Sequence, residues 1–320
     1  MKIKNIHIKN FKSIVDVEIN EPNPFSVFVG ANGVGKSNIF EALEFSTVKF
    51  YGSSFYRAFG SKDDILSKTD TNDIVEIYFL YDESEEYKFK FDFGFKSGFR
   101  ESASGQVEVT NQFKFLETFS KVFIGNRKEV KIAYKDDLKL LPDGSNLEKV
   151  LKRLLRDELI ADEISEYLTL LVPGFSNVEV QSSELSGVDT LLVYEQGTDR
   201  PFTKNLISDG TYNILCLLAA VYQSNEPQFL CIEEPENGLT PYVLEVLVDL
   251  IRTKCSEKGH YVWLNTHSPT LVRLLNEQEL ILVEKVEGST RLKQLKSGDF
   301  FGLNADEAWL TNALGAGLPW

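Results

Sequence analysis

The alternation of apolar and polar positions near the start of the chain predicts a small antiparallel sheet. The segments "IKNIHIKN" and "VDVEI" alternate with a period of two, which is typical of strands with one buried face. The pattern returns in "DIVEIYFLYD" (Asp73–Asp82) and in "YKFKFDFGF" (Tyr87–Phe95). In the latter segment, tyrosine and phenylalanine occupy one face while lysine and aspartate occupy the other. The intervening "DESEE" fits a hairpin turn.

Other segments are apolar with little polar interruption, which indicates strands buried on both faces. They include Phe25–Val29, Phe229–Ile232 and "YVWLN" from Tyr261. Helical spacing of apolar residues follows the first of them, from Ser37 to about Lys49. From Ser208 onward, helices alternate with buried strands, and a hairpin at Glu279–Leu295 follows. This order predicts an α/β fold with a mixed central sheet.

The stretch from about residue 96 to residue 186 is harder to interpret. It contains helical patterns after "LPDGSNL" and a strand pair in "VEVQSS" and "DTLLVYEQG". We interpret this stretch as an inserted arm or lobe within one domain that spans residues 1–320, since a chain of this length fits one large domain.

Composition excludes several classes of protein. The net charge of −14 argues against a general nucleic-acid coat. No apolar run is long enough to cross a bilayer, and the first residues contain no apolar signal core, so we expect a cytoplasmic protein. Three cysteines at irregular spacing predict buried free thiols in a reducing compartment. Three scattered histidines predict no zinc site.

The segment after the first buried strand carries the strongest motif. Gly30-Ala31-Asn32-Gly33-Val34-Gly35-Lys36-Ser37 fits G-x-x-x-x-G-K-[ST], with a strand before it and a helix after it. The glycines let backbone N–H groups approach phosphate oxygens, and the helix presents its positive end to the anion. Lys36 can reach the β and γ phosphates, and Ser37 can offer its hydroxyl to Mg²⁺. The alternative, a simple connecting turn, does not explain four fixed positions in this context.

Three polar turns accompany this motif. Glu233 and Glu234 end a buried strand, where one carboxylate can serve Mg²⁺ and the other can polarise a water; a solvated strand end is the alternative. Ser208-Asp209-Gly210-Thr211 opens an apolar helix, either as a second anion site or as a plain helix cap. His267, in "NTHSP", ends another buried strand and can hydrogen-bond a γ-phosphate, or it is structural.

These motifs in this order resemble the ABC-type ATPase heads of the SMC, RecF and OLD group. The phrases "KNFKSI", "GANGVGKSN", "LPDGSNL", "ISDGT", "IEEPENGL", "NTHSP" and the closing "GAGLPW" are similar to the stand-alone bacterial AAA-family ATPases of that group. The resemblance implies a single ABC/SMC-type P-loop NTPase head with N-terminal antiparallel strands. The cofactors that it implies are ATP and Mg²⁺.

The resemblance also implies individual roles. Residues Gly30 to Ser37, together with Asn38 and Lys12, would bind nucleotide; for Lys12, an exposed lysine at a strand end is the alternative. Ser37 and Glu233 would serve the metal, although most ABC heads have aspartate at the second position. Glu234, His267 and Lys36 would be catalytic. Ser208 and Gly210 would contact the nucleotide of a second copy, so the resemblance implies a homodimer formed head-to-tail around ATP. Asn237–Leu239 would lie at that interface.

The output of such a switch is open. Related proteins act in DNA repair or in anti-phage defence beside a nuclease or toxin, so we expect a separate effector protein. Only about 25 residues follow the last hairpin, which is too few for a nuclease domain. A nucleotide-gated scaffold that restrains a toxin without turnover, and a RecF-like DNA-end-binding ATPase, are the alternatives.

DNA binding by the chain itself rests on one helical pattern. Lys149, Lys152, Arg153 and Arg156 recur at i, i+3, i+4 and i+7, which would give one basic face. The favoured interpretation is an ordinary solvated face balanced by nearby acidic residues.

Overall fold

The computed structural model describes residues 2–47, 58–70, 72–81, 85–93, 106–109, 117–124, 138–183 and 187–314. The strands are β1 (Ile3–Phe11), β2 (Ile14–Asn20), β3 (Phe25–Val29), β4 (Ile74–Tyr81), β5 (Glu85–Asp92), β6 (Gln106–Val109), β7 (Ser120–Val122), β8 (Phe175–Ser182), β9 (Asp189–Glu195), β10 (Phe202–Thr203), β11 (Phe229–Glu233), β12 (Tyr261–Thr266), β13 (Leu280–Val286) and β14 (Ser289–Gln294). The helices are α1 (Lys36–Ser46), α2 (Lys62–Ile65), α3 (Leu147–Leu154), α4 (Glu158–Leu171), α5 (Asp209–Tyr222), α6 (Pro241–Lys258), α7 (Pro269–Val272) and α8 (Ala305–Leu310), with a 3₁₀ turn at Glu277–Glu279.

The N-terminal antiparallel sheet is confirmed, in the order β2-β1-β4-β5-β6. Its alternating residues divide as the pattern predicts, with Phe89 and Phe91 fully buried and Lys88 and Lys90 more accessible. The described strands end at Tyr81 and Asp92; residues 82–84, 94 and 95 of the predicted segments lie outside the described residues.

The central sheet is mixed, in the order β14-β13-β3-β12-β11-β7. Strands β13, β3, β12, β11 and β7 pair in parallel, and β14 is antiparallel to β13. The carboxyl ends of β3, β11 and β12 therefore meet at one edge, which brings together the segments that carry the glycine motif, Glu233 and His267.

Both faces of the central sheet are covered, because α5, α6 and the lobe helices lie on one side and the N-terminal sheet lies on the other. Along β3, Val27 and Val29 belong to the helix-side core, while Phe28 belongs to the core shared with the N-terminal sheet. This two-sided burial explains why the strand reads as a continuous apolar run.

The lobe differs from the predicted insertion. Helices α3 and α4 and the three-stranded sheet β10-β9-β8 form it. Strands β6 and β7, within the predicted 96–186 stretch, instead join the N-terminal and central sheets. Sequence spacing alone cannot reveal this, because strand partners are chosen by long-range packing.

Three further features of the described residues concern the cysteines, His260 and the length of the helices. Cys216, Cys231 and Cys255 are free and buried, as predicted. His260 is buried and accepts a hydrogen bond from the backbone N–H of Gln228 at 3.3 Å. Within the described ranges, no helix is long and apolar enough to cross a membrane.

Candidate functional site

The phosphate loop leads from β3 into α1 and is shaped by two glycines with positive φ. Gly33 has φ 77° and Gly35 has φ 106°, conformations that residues with a Cβ rarely adopt. A Cβ at Gly35 would also lie 2.1 Å from the Thr290 hydroxyl oxygen, so no other residue fits there. Helix α1 begins directly at Lys36, which leaves its first N–H groups at the loop.

Lys36 is folded over the loop. Its ammonium group donates hydrogen bonds to the carbonyl oxygens of Gly30 at 2.8 Å and Ala31 at 3.0 Å. Burial lowers the pKa of Lys36 to about 8, against the opposing pull of Glu234, Glu236 and Glu233. A bound phosphate would replace weak carbonyl acceptors with charged ones and favour the protonated lysine.

Ser37 and Glu233 are brought together from distant parts of the chain. The Ser37 hydroxyl donates to Oε2 of Glu233 at 2.7 Å, and the Asn265 amide lies 3.5 Å from the same hydroxyl. A hydroxyl and a carboxylate side by side are hard oxygen ligands of the kind that Mg²⁺ prefers. The donor set therefore fits a magnesium ion held by Ser37 and Glu233, despite the glutamate in place of the usual aspartate.

A buried lysine that the sequence analysis missed lies behind Glu233. Lys121, on β7, is 2.7 Å from a carboxylate oxygen of Glu44 and 3.8 Å from Oε1 of Glu233. Burial alone would lower the pKa of Lys121, but the two carboxylates outweigh it and raise the pKa above its ordinary value. The lysine thus holds the far side of the carboxylate whose near side contacts Ser37.

Glu234 lies just beyond β11 in a strained backbone conformation. Its φ is 49°, and its N–H donates to the Asn265 carbonyl at 3.0 Å. Its carboxylate is partly accessible and accepts a hydrogen bond from the Asn237 amide at 3.3 Å. Non-glycine residues in this region are uncommon and are often found at functional sites.

His267 lies at the tip of β12, next to Lys36. Its Nδ1 is 3.5 Å from the lysine Nζ. Because an ammonium group can only donate, Nδ1 is the acceptor, and Nε2–H remains the donor of the neutral ring. Burial and the charge of Lys36 lower the pKa of His267, and Glu234 opposes them. The neutral histidine is therefore favoured, with one N–H available for an anion.

Four residues form a directed hydrogen-bond chain on the outer side of the loop. The Asn38 amide donates to the Ser13 hydroxyl at 2.6 Å, Ser13 lies 2.6 Å from the Thr290 hydroxyl, and Thr290 donates to the Val34 carbonyl at 2.8 Å. Thr290, on β14, was not predicted. Asn38, predicted to bind nucleotide, uses its amide in this chain, and the neighbouring Lys12 forms an ion pair with Glu41 of α1.

The predicted second anion site is the first turn of α5. Ser208 caps this helix by accepting from the Thr211 N–H at 3.0 Å, and its side chain is exposed. Gly210 packs on the loop after β11, so closely that a Cβ would lie 2.7 Å from the Gly238 carbonyl oxygen. The Asn213 amide donates to the Asn237 carbonyl at 2.7 Å in the same contact.

The predicted basic face of α3 is largely used within the fold. Lys152 forms an ion pair with Asp189 at 2.7 Å. Arg153 donates to the carbonyl oxygens of Leu138 and Gln223 at 2.9 and 2.8 Å. Lys149 and Arg156 are exposed. Two of the four cations are therefore engaged within the fold, and DNA binding through this face stays a prediction.

Comparison with known proteins identifies related sequences. The model of a family described as "AAA domain, putative AbiEii toxin, Type IV TA system" matches residues 25–273. A relative from Methanocaldococcus jannaschii, described as an uncharacterized protein, is 26% identical over 231 residues, which are 67% of this chain. The match spans 59% of that relative's length.

Solved SMC head domains share the fold. A structure of an SMC head bound to the C-terminal winged-helix domain of ScpA has a TM-score of 0.63 at 18% identity, covering 93% of this chain and 98% of the other. An SMC head with an extended coiled coil, bound to a C-terminal domain of ScpA from Pyrococcus furiosus, has a TM-score of 0.62 at 18% identity, covering 92% and 97%. The SMC head of Thermotoga maritima scores 0.51 at 16% identity, covering 92% and 100%.

Proposed function

The chain belongs to the AAA domain family described as putative AbiEii toxin, Type IV TA system, and from this membership we propose that it is an ATP-hydrolysing switch. It binds ATP with Mg²⁺, dimerises head-to-tail around two nucleotides, and controls a separate effector. The observation that carries the proposal is the meeting of Ser37 with Glu233 and of Lys36 with His267 at one sheet edge.

The residues at this edge divide the work of phosphate transfer. Loop N–H groups, the end of α1 and the Lys36 ammonium stabilise the negative charge on the phosphates. Glu234, which forms no ion pair with another described residue and lies beside the metal-binding carboxylate, accepts a proton from the attacking water. Neutral His267 donates its Nε2–H to the γ-phosphate.

Ser37 and Glu233 would hold Mg²⁺, which when bound neutralises charge that develops on the β- and γ-phosphate oxygens. In the protein itself, Lys121, which also pairs with Glu44, lies behind Glu233 with its ammonium group 3.8 Å from Oε1 of that carboxylate. Both oxygens of the Glu233 carboxylate are thereby contacted, one by Ser37 and the other by Lys121. These contacts offset the greater conformational freedom of a glutamate side chain relative to aspartate.

Dimerisation is supported by the exposed surface around α5. Ser208 is exposed at the helix start, Leu206 is 67% exposed just before it, and Tyr242 is 52% exposed after the adjoining loop. Apolar side chains flanking an anion-binding helix terminus suit a surface that a second copy covers. ATP would then lie between Lys36 of one copy and Ser208 of the other.

The effector is proposed to be a nuclease or toxin in an anti-phage system, in line with the toxin–antitoxin description of the family. Hydrolysis removes the γ-phosphate that joins the two copies, so turnover would time the release of the effector. A scaffold that restrains a toxin without turnover is the second candidate; the intact pair of Glu234 and His267 argues for turnover.

Two measurements test the proposal. We expect Glu234→Gln to form a dimer with ATP and Mg²⁺ in size-exclusion chromatography with light scattering, and wild-type protein to release phosphate at steady state. Lys36→Ala, the matched control, should show neither. A wild-type protein that forms the dimer but releases no phosphate would favour the scaffold, and a monomeric Glu234→Gln variant with saturating ATP would refute the shared sites.

A further inference from the structure

Glu236 connects the loop after β11 to the tip of β12. Its Oε1 accepts two hydrogen bonds, from the Thr266 hydroxyl at 2.6 Å and from the backbone N–H of His267 at 3.1 Å. The Thr266 hydroxyl in turn accepts from the Ser268 N–H at 2.9 Å. One carboxylate oxygen therefore fixes the backbone on which His267 is carried.

The second carboxylate oxygen of Glu236, Oε2, is shielded from solvent and has no hydrogen-bond partner among the described residues. A buried acceptor without a partner costs free energy, so a carboxylate at this position needs a compensating role. The charge of Glu236 acts on Lys36 and favours its protonated form, in opposition to burial.

The hydrogen bonds of Glu236 suit it to hold the backbone of His267 in place rather than to take part in proton transfer. One Glu236 oxygen already accepts from two donors, whereas the partly accessible Glu234 carboxylate accepts from the Asn237 amide alone among the described contacts. The site therefore has one carboxylate for proton transfer and another that holds the histidine backbone.

We propose that Glu236 is a positioning residue that holds His267 against Lys36, and so sets the geometry in which the histidine meets the γ-phosphate. This inference rests on the proposed ATP site. It extends that site by one residue whose side chain need not touch the nucleotide. It also links the histidine to the segment that packs on Gly210, because Glu236 and Gly238 lie in one short loop.

Two substitutions separate the hydrogen bonds from the charge. Glu236→Gln keeps a carbonyl oxygen that can accept from Thr266 and His267 but loses the negative charge. Glu236→Ala loses both. Thr266→Val, nearly isosteric with threonine, removes one donor, and Thr266→Ser restores it. Thermal unfolding of each variant identifies any that fail to fold.

The first measurement is the pKa of His267 by NMR in the nucleotide-free protein. The chain has three histidines, and a His267→Gln variant assigns the signal. In the wild type, burial and Lys36 lower this pKa, with Glu234 opposing. Loss of a nearby negative charge alone would lower it further, because carboxylates favour the imidazolium. If the His267 ring instead moves away from Lys36 into water, its pKa would rise toward the ordinary value. Loss of the charge and displacement of the ring therefore shift the pKa of His267 in opposite directions.

We expect Glu236→Ala to raise the pKa of His267, and Glu236→Gln to keep it lowered. In steady-state assays, Glu236→Ala should reduce kcat about tenfold with little change in KM, while Glu236→Gln stays within about threefold of wild type. Thr266→Val should change the pKa of His267 and kcat in the same direction as Glu236→Ala does. Thr266→Ser should behave like the wild type.

Either of two results would overturn the inference. One is an unchanged or lowered His267 pKa in a folded Glu236→Ala variant. The other is a Glu236→Gln variant as impaired as Glu236→Ala, which would assign the effect to charge. The NMR measurement needs no nucleotide, so it decides the inference even if the wild type proves unable to hydrolyse ATP, a result that would refute only the proposed function.

Discussion

Gly210 and Gly238 pack backbone against backbone: a Cβ on the first would lie 2.7 Å from the carbonyl oxygen of the second. The first turn of α5, with its exposed Ser208, is therefore fixed by the same loop that follows the acidic pair at the end of β11. Within a single chain, this contact therefore links the surface proposed to face a second copy to the site proposed to hydrolyse ATP.

Gly210→Ala tests this contact. We expect the variant to bind ATP but to lose most of the ATP-dependent dimer in a Glu234→Gln background, because the added methyl group pushes the turn away from the loop at a cost of about 1–3 kcal/mol. Analytical ultracentrifugation with ATP and Mg²⁺ measures the loss. Gly187→Ala is the control: its φ of 65° strains the backbone, but apart from its chain neighbours no described residue has an atom within 4 Å of the new Cβ. Equal dimerisation of both variants would contradict the role of the contact.

Thr290→Val tests the support that β14 gives to the phosphate loop. Valine keeps the shape of threonine but cannot donate to the Val34 carbonyl or accept from Ser13. We expect ATP affinity in the Glu234→Gln background to fall about five- to tenfold by calorimetry, the loss of about 1 kcal/mol for a buried hydrogen bond. Thr290→Ser keeps the hydroxyl and should bind as the parent does. If both variants bind equally, the hydroxyl does not shape the loop.

Lys121 and Glu44 lend themselves to a double-mutant cycle. Lys121→Met removes the cation that contacts the buried carboxylates of Glu44 and Glu233, and we expect a loss of about 3–5 kcal/mol in the free energy of unfolding. Adding Glu44→Gln should recover part of that loss, because one uncompensated charge is removed. Urea denaturation of the four proteins measures the coupling. Strictly additive losses would show that Lys121 does not compensate Glu44.

His260 predicts an acid-sensitive component of stability. Burial, aided by Lys258 and Lys254, lowers the pKa of His260 to about 4 from its ordinary 6.5. A depressed pKa in the folded state means that the unfolded chain binds the proton first, so this stability is present above pH 6.5 and is lost as the pH falls to about 4. The component is up to about 3 kcal/mol.

His260→Gln should remove that component. We expect the stability of the variant relative to wild type to improve by up to about 3 kcal/mol between pH 7 and pH 4. Chemical denaturation across this range gives the difference directly, and the other acid-sensitive groups cancel in it. A constant difference at all pH values would show that His260 does not titrate abnormally.

Much of this site is predictable from the sequence because its signals are local. The glycine loop, the acidic pair, the capped turn at Ser208 and the "NTHSP" turn are each contained within a few residues. The strands before them show their burial as apolar runs. The sheet order then brings strand ends to one edge by the general rule for parallel strands.

The parts that sequence reasoning missed depend on contacts between distant residues. Lys121 lies on the three-residue strand β7. Only the pairing of β7 with β11 brings this lysine close to Glu233. Thr290 and Val34 are 256 positions apart. At α3, helical spacing indicates a basic face but cannot reveal that Lys152 and Arg153 are bound to neighbouring segments.

The separation between Val34 and Thr290 has a consequence for synthesis of the chain. The loop emerges from the ribosome early, while the hydroxyl that holds its outer side is made roughly 250 residues later. A nascent chain would therefore carry the nucleotide motif long before it could grip a nucleotide firmly. Full affinity for the nucleotide would require β14, so a translation product interrupted before this strand would bind nucleotide more weakly.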